Sequence, residues 1–257
     1  MNVWARSLHF QPYTFDKTVE GVTFRFHVAT PTGDAWYGRQ TGQSSLEMGF
    51  VRDQLLRRGD TILEIGGHHG KDTVLLSKWV GVEGRVITFE PMPDNVEVIS
   101  QNVSLNQLGN VEVVPIALGD SVGTANMRRK SNSAVKAQGR GGTVVTMSTV
   151  DNYCEEHGLT PDLLKVDVEG FELSVLAGAQ KTLAESRPSL QIELHCDILG
   201  RYDATPEDIW NVIDRDEYHV WIQRTDQHVP VPYDGAEPLI GRVHLFMKPR
   251  ETNDSCD

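Results

Sequence analysis

The chain is short of cysteine and has no long apolar run. Its 257 residues include only three cysteines, Cys154, Cys196 and Cys256, which lie far apart and never in a C-x-x-C spacing. So few and so widely separated cysteines argue against a disulfide framework and a zinc site, and they predict a reducing, cytoplasmic location. No stretch of 18 apolar residues occurs, so we expect no membrane span.

Basic residues are also scarce, with 24 Lys and Arg against 36 Asp and Glu and a net charge of −12. Because nucleic-acid binders usually present a basic face, we expect no nucleic-acid partner. One local exception is segment 127–142, which contains five cations among Gly, Ser and Ala. Its composition predicts a solvated surface flap, and the alternative is a lid that brings cations to an anionic group of a substrate.

The strongest pattern is a buried strand that runs into a glycine turn. Thr61–Ile65 is largely apolar and is followed by Gly-Gly-His-His-Gly, with a helix predicted from Lys71. The next apolar strand, 85–90, ends in the carboxylate of Glu90. Such a pair of strands is typical of a nucleotide-like site, because the turn lets the backbone approach the ligand and the acid binds the ribose hydroxyls.

The spacing of the glycines distinguishes between two classes of ligand. A dinucleotide fingerprint counted from Gly66 would need glycines at positions 68 and 71, which hold His68 and Lys71. The pattern present is acid-x-Gly-x-x-x-Gly, formed by Glu64, Gly66 and Gly70. It predicts S-adenosylmethionine as the cofactor and disfavours a nucleotide-dependent oxidoreductase.

Strands and helices alternate along most of the chain, which predicts an α/β fold with a doubly wound, mostly parallel sheet. We predict strands at 61–65, 85–90, 111–118, 163–168, 190–194, 218–224 and 243–248, the last two pairing antiparallel at an edge. Predicted helices are 45–58, 71–80, 94–106 capped by Asp94, 149–157, 171–186 and one that begins at Thr205. A small β-rich extension, 1–44, precedes the main domain, 45–257.

Charged residues mark the end of the strand at 163–168. Lys165, Asp167 and Glu169 alternate with apolar residues, so in a strand they share one face. A central parallel strand is normally apolar on both faces, so these charges are paired or functional. We expect Asp167 to be a general base or a group that orients an acceptor. Lys165 either tunes Asp167, acts itself if burial lowers its pKa, or simply forms an ion pair.

His195, at the end of the next strand, is the rival base, because an unperturbed imidazole titrates near neutral pH. A divalent ion held by Asp167, Glu193 and His195 is a further alternative. The spacing of these three residues is not diagnostic, and from the sequence we predict no metal.

Six motifs together resemble the FkbM-type family of S-adenosylmethionine-dependent methyltransferases and span roughly residues 45–196. They are Ile62-Leu-Glu-Ile-Gly-Gly-His-His-Gly70, Phe89-Glu-Pro91, Val114-Pro-Ile-Ala-Leu-Gly-Asp120, Leu164-Lys-Val-Asp-Val-Glu-Gly-Phe-Glu172, Val175-Leu-Ala-Gly-Ala179 and Glu193-Leu-His195. The resemblance implies a seven-stranded Rossmann-like fold with an antiparallel last strand. It also implies methyl transfer, usually to a hydroxyl of a sugar, a glycolipid or a polyketide-type metabolite.

The resemblance also assigns cofactor-binding residues. It implies that Glu64, Gly66 and Gly70 line the methionine part of the cofactor, that Glu90 followed by Pro91 binds the ribose, and that Ala117 and Leu118 flank the adenine. Two departures concern the turn: Glu64 stands where the family usually has Asp, and Gly67-His68 replaces Ala-Asn. His68 could still form a hydrogen bond with the cofactor.

The expected activity is an O-methyltransferase acting on a small-molecule or glycosylated acceptor, and the alternative is a non-catalytic domain that binds S-adenosylmethionine. The acceptor contacts are expected outside the motifs, in 1–44, 120–142 and 196–242. Aromatic residues there, Trp36 and Tyr37 among them, could stack on a sugar face.

Overall fold

The computed structural model describes residues 10–41, 45–127, 142–225, 227 and 229–251. The basic segment proposed from the sequence as a flap or lid, 127–142, therefore lies almost entirely outside the described residues. So does Cys256. Among the residues that are described, no helix is long and apolar enough to span a bilayer.

The seven predicted strands occur in the predicted order, and strands at 123–127, 143–148 and 231–232 are additional to the prediction. They are β1 (Tyr13–Val19), β2 (Val22–Val28), β3 (Thr61–Ile65), β4 (Arg85–Phe89), β5 (Val111–Val114), β6 (Ala117–Leu118), β7 (Gly123–Met127), β8 (Thr143–Ser148), β9 (Leu163–Val166), β10 (Ser189–His195), β11 (Tyr218–Arg224), β12 (Val231–Pro232) and β13 (Arg242–Pro249).

The α-helices lie between these strands. They are α1 (Pro31–Tyr37), α2 (Leu46–Phe50), α3 (Lys71–Val80), α4 (Pro93–Leu105), α5 (Val150–His157), α6 (Glu172–Ala177), α7 (Gln180–Glu185) and α8 (Ile209–Val212). A π-helical turn, Val51–Leu55, continues α2, and 3₁₀ turns occur at Leu199–Tyr202, Pro206–Asp208 and Arg215–Glu217.

The central sheet has the strand order β12-β11-β13-β10-β9-β3-β4-β5. Strands β10, β9, β3, β4 and β5 pair in parallel, whereas β13 is antiparallel to both of its neighbours. The α/β, Rossmann-like prediction with an antiparallel last strand is confirmed. The last two predicted strands, β11 and β13, pair antiparallel at one end of the sheet as expected, with β13 on the inner side next to β10, and the two-residue β12 adds an eighth strand to the predicted seven.

Three predicted elements are wrong in detail. The strand at 111–118 divides at Pro115, which has no N–H for the ladder, and β6 joins a separate sheet ordered β6-β8-β7. The helix at 171–186 divides at Gly178, where a Cβ would collide with the carbonyl oxygen of Gly119. Helix α4 begins at Pro93 with Met92 as its N-cap, so Asp94 lies in the first turn and is not the cap.

The two faces of the central sheet differ in character. One face contributes buried apolar side chains, such as those of Ile65, Val166 and Ile192, to the main core. On the other face Glu64 lies opposite Lys165, which in turn lies opposite Gln191. This polar row leads toward the carboxyl ends of the strands, where ligands bind in such sheets.

The β1–β2 hairpin packs against the helices that cover the polar face of the sheet. Phe24, Phe26 and Val28 of β2 share a buried cluster with Val74 and Leu75 of α3. The N-terminal extension therefore has its apolar face buried against the main domain. Helix α1 follows the hairpin directly and reaches the carboxyl edge of the sheet.

Candidate functional site

A cleft lies at the carboxyl ends of β3, β4 and β9. It contains about 690 Å³ of empty space, part of it open to solvent. The predicted site residues that line it are Gly66, His68, Glu90, Pro91, Ala117, Leu118 and Asp167. Residues far apart in the sequence therefore meet at one site.

The glycine turn has a conformation that demands glycine. Gly66 has φ +98°, and a Cβ at this position would collide with the carbonyl oxygen of Asp167. A Cβ on Gly67 would collide with the hydroxyl of Thr88. Gly70, with φ +81°, is the N-cap of α3. Of these three glycines only Gly66 lines the cleft. The turn also packs closely against Asp167, which follows β9, and Thr88 of β4.

Glu90 lies at the tip of β4 and is held by backbone donors. Its Oε2 accepts a hydrogen bond of 3.0 Å from the N–H of His68, and its Oε1 accepts one of 2.9 Å from the N–H of Met92. Burial raises the pKa of Glu90 to about 7, although the hydrogen bonds from Met92, Asn95 and His68 oppose this rise. When ionised, this carboxylate can accept two hydroxyl donors at the cleft.

Glu64 does not reach the cleft, contrary to what the resemblance implies. It is buried on the polar face of the sheet, and its Oε2 accepts a hydrogen bond from the Thr73 hydroxyl of α3. Burial raises its pKa, and the charge of Lys165 opposes this effect. Glu64 therefore ties β3 to α3 beneath the glycine turn.

Two aromatic residues of α1 complete the wall of the cleft. The hydroxyl of Tyr37 lies 2.7 Å from Nδ1 of His68, and the ring of Trp36 lies 5.1 Å from the same imidazole. Trp36 remains 44% exposed. In the sequence Trp36 and Tyr37 are only two among several scattered aromatic residues, because nothing local in the sequence signals their contact with His68.

Lys165 pairs with α3. Its Nζ lies 3.4 Å from Oδ2 of Asp72. Burial alone would lower the pKa of Lys165, but the charges of Asp72, Asp167, Glu64 and Glu193 raise it instead. A lysine that stays protonated cannot act as a base, so this alternative from the sequence is not supported.

Asp167 lies just beyond β9 and forms part of the cleft wall. Burial and the charge of Glu193 raise its pKa to about 7, against the opposing charges of Lys165 and His195. Donor atoms of Asp167, Glu193 and His195 all lie within 4.8 Å of one another. The three residues singled out from the sequence are thus brought together in space.

His195 is oriented by Glu172, the first residue of α6. Its Nδ1 lies 2.8 Å from Oε1 of Glu172. Burial lowers the pKa of His195, but the hydrogen bond to Glu172 and the surrounding carboxylates more than offset this and raise it to about 9. A protonated imidazole cannot accept a proton, so the raised pKa weighs against His195 as the base.

The chain is similar in sequence to known methyltransferases. The family model described as "Methyltransferase FkbM domain" matches residues 64–220, more than half of the chain. The Haloferax volcanii protein named hexuronic acid methyltransferase AglP is 27% identical over 143 residues, which are 54% of this chain and 57% of that protein.

A solved structure also resembles this fold. Methyltransferase FkbM from Methylobacillus flagellatus superposes with a TM-score of 0.51 at 18% identity, covering 77% of this chain and 46% of that protein. This chain thus spans about half the length of each of these two relatives. The match of the family model shows that the chain belongs to the FkbM methyltransferase family.

Proposed function

We propose that the chain is an S-adenosylmethionine-dependent O-methyltransferase that acts on a hydroxyl of a sugar, a glycoside or another small metabolite. The observation that carries this proposal is the placement of Glu90 and Asp167 in one cleft, on either side of the glycine turn. One carboxylate suits the ribose of the cofactor, and the other faces the place where the methyl group would be transferred.

The residues of the cleft fit the cofactor. Glu90 would accept hydrogen bonds from the ribose hydroxyls, and Ala117 and Leu118 offer an apolar surface to the adenine. Gly66 leaves the backbone open to the methionine part. When bound, S-adenosylmethionine supplies a methyl group activated by a positively charged sulfur.

Methyl transfer to a hydroxyl replaces a sulfur–carbon bond with an oxygen–carbon bond and releases one proton. The protein must hold the acceptor oxygen in line and give the proton somewhere to go. Asp167 is placed for both tasks, because it lines the cleft and lies at the end of the central strand.

The relative named as a hexuronic acid methyltransferase supports a sugar as the acceptor. A hexuronic acid offers two kinds of oxygen, its hydroxyls and its carboxylate. If the carboxylate of the hexuronic acid were the methylated group, it would lie close to the carboxylates of Asp167, Glu169 and Glu193 and be repelled by them. We therefore favour a hydroxyl as the methylated group. The exposed ring of Trp36 at the cleft suits the apolar face of a sugar.

Two other functions are less well supported. A non-catalytic domain would bind the cofactor without needing the charged group that lies around Asp167. An oxidoreductase would need the dinucleotide glycines that His68 and Lys71 replace, and the chain belongs to a methyltransferase family.

The test is a transfer assay with methyl-labelled S-adenosylmethionine and a panel of acceptors. The panel pairs glycosides of a hexuronic acid with those of the matching neutral hexose and adds hydroxylated macrolides. We expect release of S-adenosylhomocysteine together with a labelled methyl ether that survives mild alkali. An alkali-labile label would identify a carboxylate acceptor, and cofactor binding without transfer to any acceptor would favour the non-catalytic alternative.

A further inference from the structure

We propose that Asp167, Glu193 and His195 form a binding site for a divalent transition-metal ion such as Mn²⁺, which holds the acceptor hydroxyl beside the cofactor cleft. This inference rests on the proposed function for its role, although the binding of the ion can be measured without any methyl transfer. Nothing in the activity of the family as such requires it.

The spacing of the donor atoms is that of a coordination sphere. One donor atom from each residue lies within 4.8 Å of the others. Ligands at about 2.1–2.4 Å from one ion lie between roughly 3 and 4.8 Å apart, the larger value applying to opposite ligands. The three side chains therefore need only small rotations to converge on one ion.

The second observation concerns His195, which is 6% exposed. Its Nε2 faces two carboxylates, 3.7 Å from Oε2 of Glu169 and 3.8 Å from Oε1 of Glu193. Both distances exceed the length of a hydrogen bond. Nε2 therefore forms no hydrogen bond with either carboxylate, only an ion pair with each when the ring is protonated, and an ion can take the place of that proton between them.

The other ring nitrogen is fixed as in many histidines that bind metals. Glu172 is fully buried, and its Oε1 lies 2.8 Å from Nδ1 of His195 and 2.8 Å from the N–H of Gly170. A carboxylate that accepts the Nδ1 proton holds the ring in place, and an ion that binds at Nε2 would displace the proton that this nitrogen carries in the ion-free protein.

Cationic side chains also lie near the cluster. Nη1 of Arg242 lies 3.2 Å from Oε1 of Glu193, and the Arg242 side chain is 52% exposed, so it can leave this oxygen for solvent when an ion binds. Lys165 is engaged by Asp72. Nδ1 of His244 lies 4.0 Å from Oε2 of Glu193, whereas Nε2 of His195 faces the other oxygen, Oε1.

The donor set indicates the class of ion. Carboxylates suit Mg²⁺, Ca²⁺ and Mn²⁺, whereas an imidazole suits transition metals. Two carboxylates with one imidazole therefore favour Mn²⁺ or a similar ion over Ca²⁺. Three protein ligands leave positions for water and for the acceptor.

The location of the site connects the ion with the chemistry. Asp167 and Glu169 both line the cleft, so an ion bound to Asp167 is reached from the cofactor side. An ion lowers the pKa of a hydroxyl bound to it and fixes its position. Lowering that pKa would let the hydroxyl give its proton to water in the open cleft at neutral pH, and Asp167 would then act as a ligand of the ion and not as the proton acceptor.

The test measures Mn²⁺ alone, with the whole chain first treated with a chelator. Electron paramagnetic resonance of free Mn²⁺ and calorimetry should show one ion bound per chain. Glu193→Gln and His195→Gln should each weaken binding at least tenfold, and Glu172→Gln should weaken it about tenfold through the orientation of His195. The control is Glu83→Gln, in the turn that precedes β4 and so at the amino ends of the strands, away from the cleft. It should bind Mn²⁺ like wild type.

Circular dichroism identifies any variant that fails to fold, and the remaining variants then carry the test. Absence of Mn²⁺ binding to wild type, or equal binding by the cluster variants and the control, would overturn the site. If wild type transfers methyl groups equally well with and without a chelator, the proposed role of the ion is wrong. Mn²⁺ binding without any methyl transfer would leave the site standing and refute the proposed function instead.

Discussion

At the scale of single residues, we propose different tasks for two carboxylates of the cleft. Glu90 is held by the backbone N–H groups of His68 and Met92 and is proposed to bind a ribose. Asp167 shares its surroundings with Glu193 and His195 and is proposed to bind the acceptor. The two tasks predict different effects of substitution.

Substitution of Asp167 should affect turnover and leave cofactor affinity largely intact. Asp167→Asn keeps the shape of the side chain but removes its charge, so a positioned acid–base or ligating group is lost. We expect turnover to fall by ~10²–10⁴ while the circular dichroism spectrum and the cofactor affinity stay close to wild type. Loss of the fold would instead indicate that Asp167 serves only as a structural partner of the nearby charges.

The companion variant is His195→Asn. An effect on turnover as large as that of Asp167→Asn is expected if both side chains hold the same ion. If only His195→Asn abolishes turnover, the roles are reversed and His195 is the base.

Cofactor affinity should depend on pH through Glu90. Its pKa in the free protein is about 7, raised chiefly by burial. Above this pH the ionised carboxylate accepts the ribose hydroxyls, and affinity should fall as the pH drops through about 7. Titration of S-adenosylhomocysteine at pH values from 5.5 to 8.5 should show this decline. Glu90→Gln should bind more weakly at high pH and show a flatter profile, and an equally steep profile would rule out Glu90 as its source.

At the scale of elements, the turn between β3 and α3 is the most constrained segment of the site. Gly66 combines φ +98° with close contact to the carbonyl of Asp167. Gly66→Ala should therefore lower the free energy of unfolding by about 2 kcal/mol or more, because both strain and a clash are introduced. Denaturant unfolding measures the change.

Gly109→Ala is the matched control, since a Cβ there has open space around it. It should change the free energy of unfolding by no more than about 0.5 kcal/mol. Equal effects of the two substitutions would mean that the turn is not constrained as described.

Much of the element order could be predicted from the sequence, because each buried strand is a short apolar run between turn residues. The bounds of β3 and α3 match the prediction, since Ile62, Leu63 and the glycines that follow are local signals. The insertion of β13 beside β10 could not be foreseen, because pairing between distant strands leaves no local trace. For the same reason the sequence indicated His195 as a candidate but not its partner Glu172.

At the scale of the whole molecule, the N-terminal hairpin and the main domain share a buried cluster and meet at the cleft. Phe26 is fully buried in the cluster that joins β2 to α3. Phe26→Ala should lower the free energy of unfolding by about 3–5 kcal/mol. If hairpin and domain fold together, unfolding should remain a single transition by fluorescence and by circular dichroism.

Arg25→Ala is the control for this experiment, because Arg25 is exposed on the same strand. It should leave stability within about 0.5 kcal/mol of wild type. A hairpin that unfolds in a separate, earlier transition would contradict the shared cluster and would favour residues 1–44 as an independent unit.

The central claim is that the cleft around Glu90 binds S-adenosylmethionine. Calorimetric titration of the cofactor into wild type, Glu90→Ala and the control Glu112→Ala tests it most directly, since Glu112 pairs with Arg85 on the surface, outside the cleft. We predict tight binding to wild type and to the control. The loss of the ribose hydrogen bonds should cost Glu90→Ala ~2–3 kcal/mol, a decrease of roughly 30- to 150-fold in affinity. Equal affinity of Glu90→Ala and wild type, or no binding by wild type, would contradict the account.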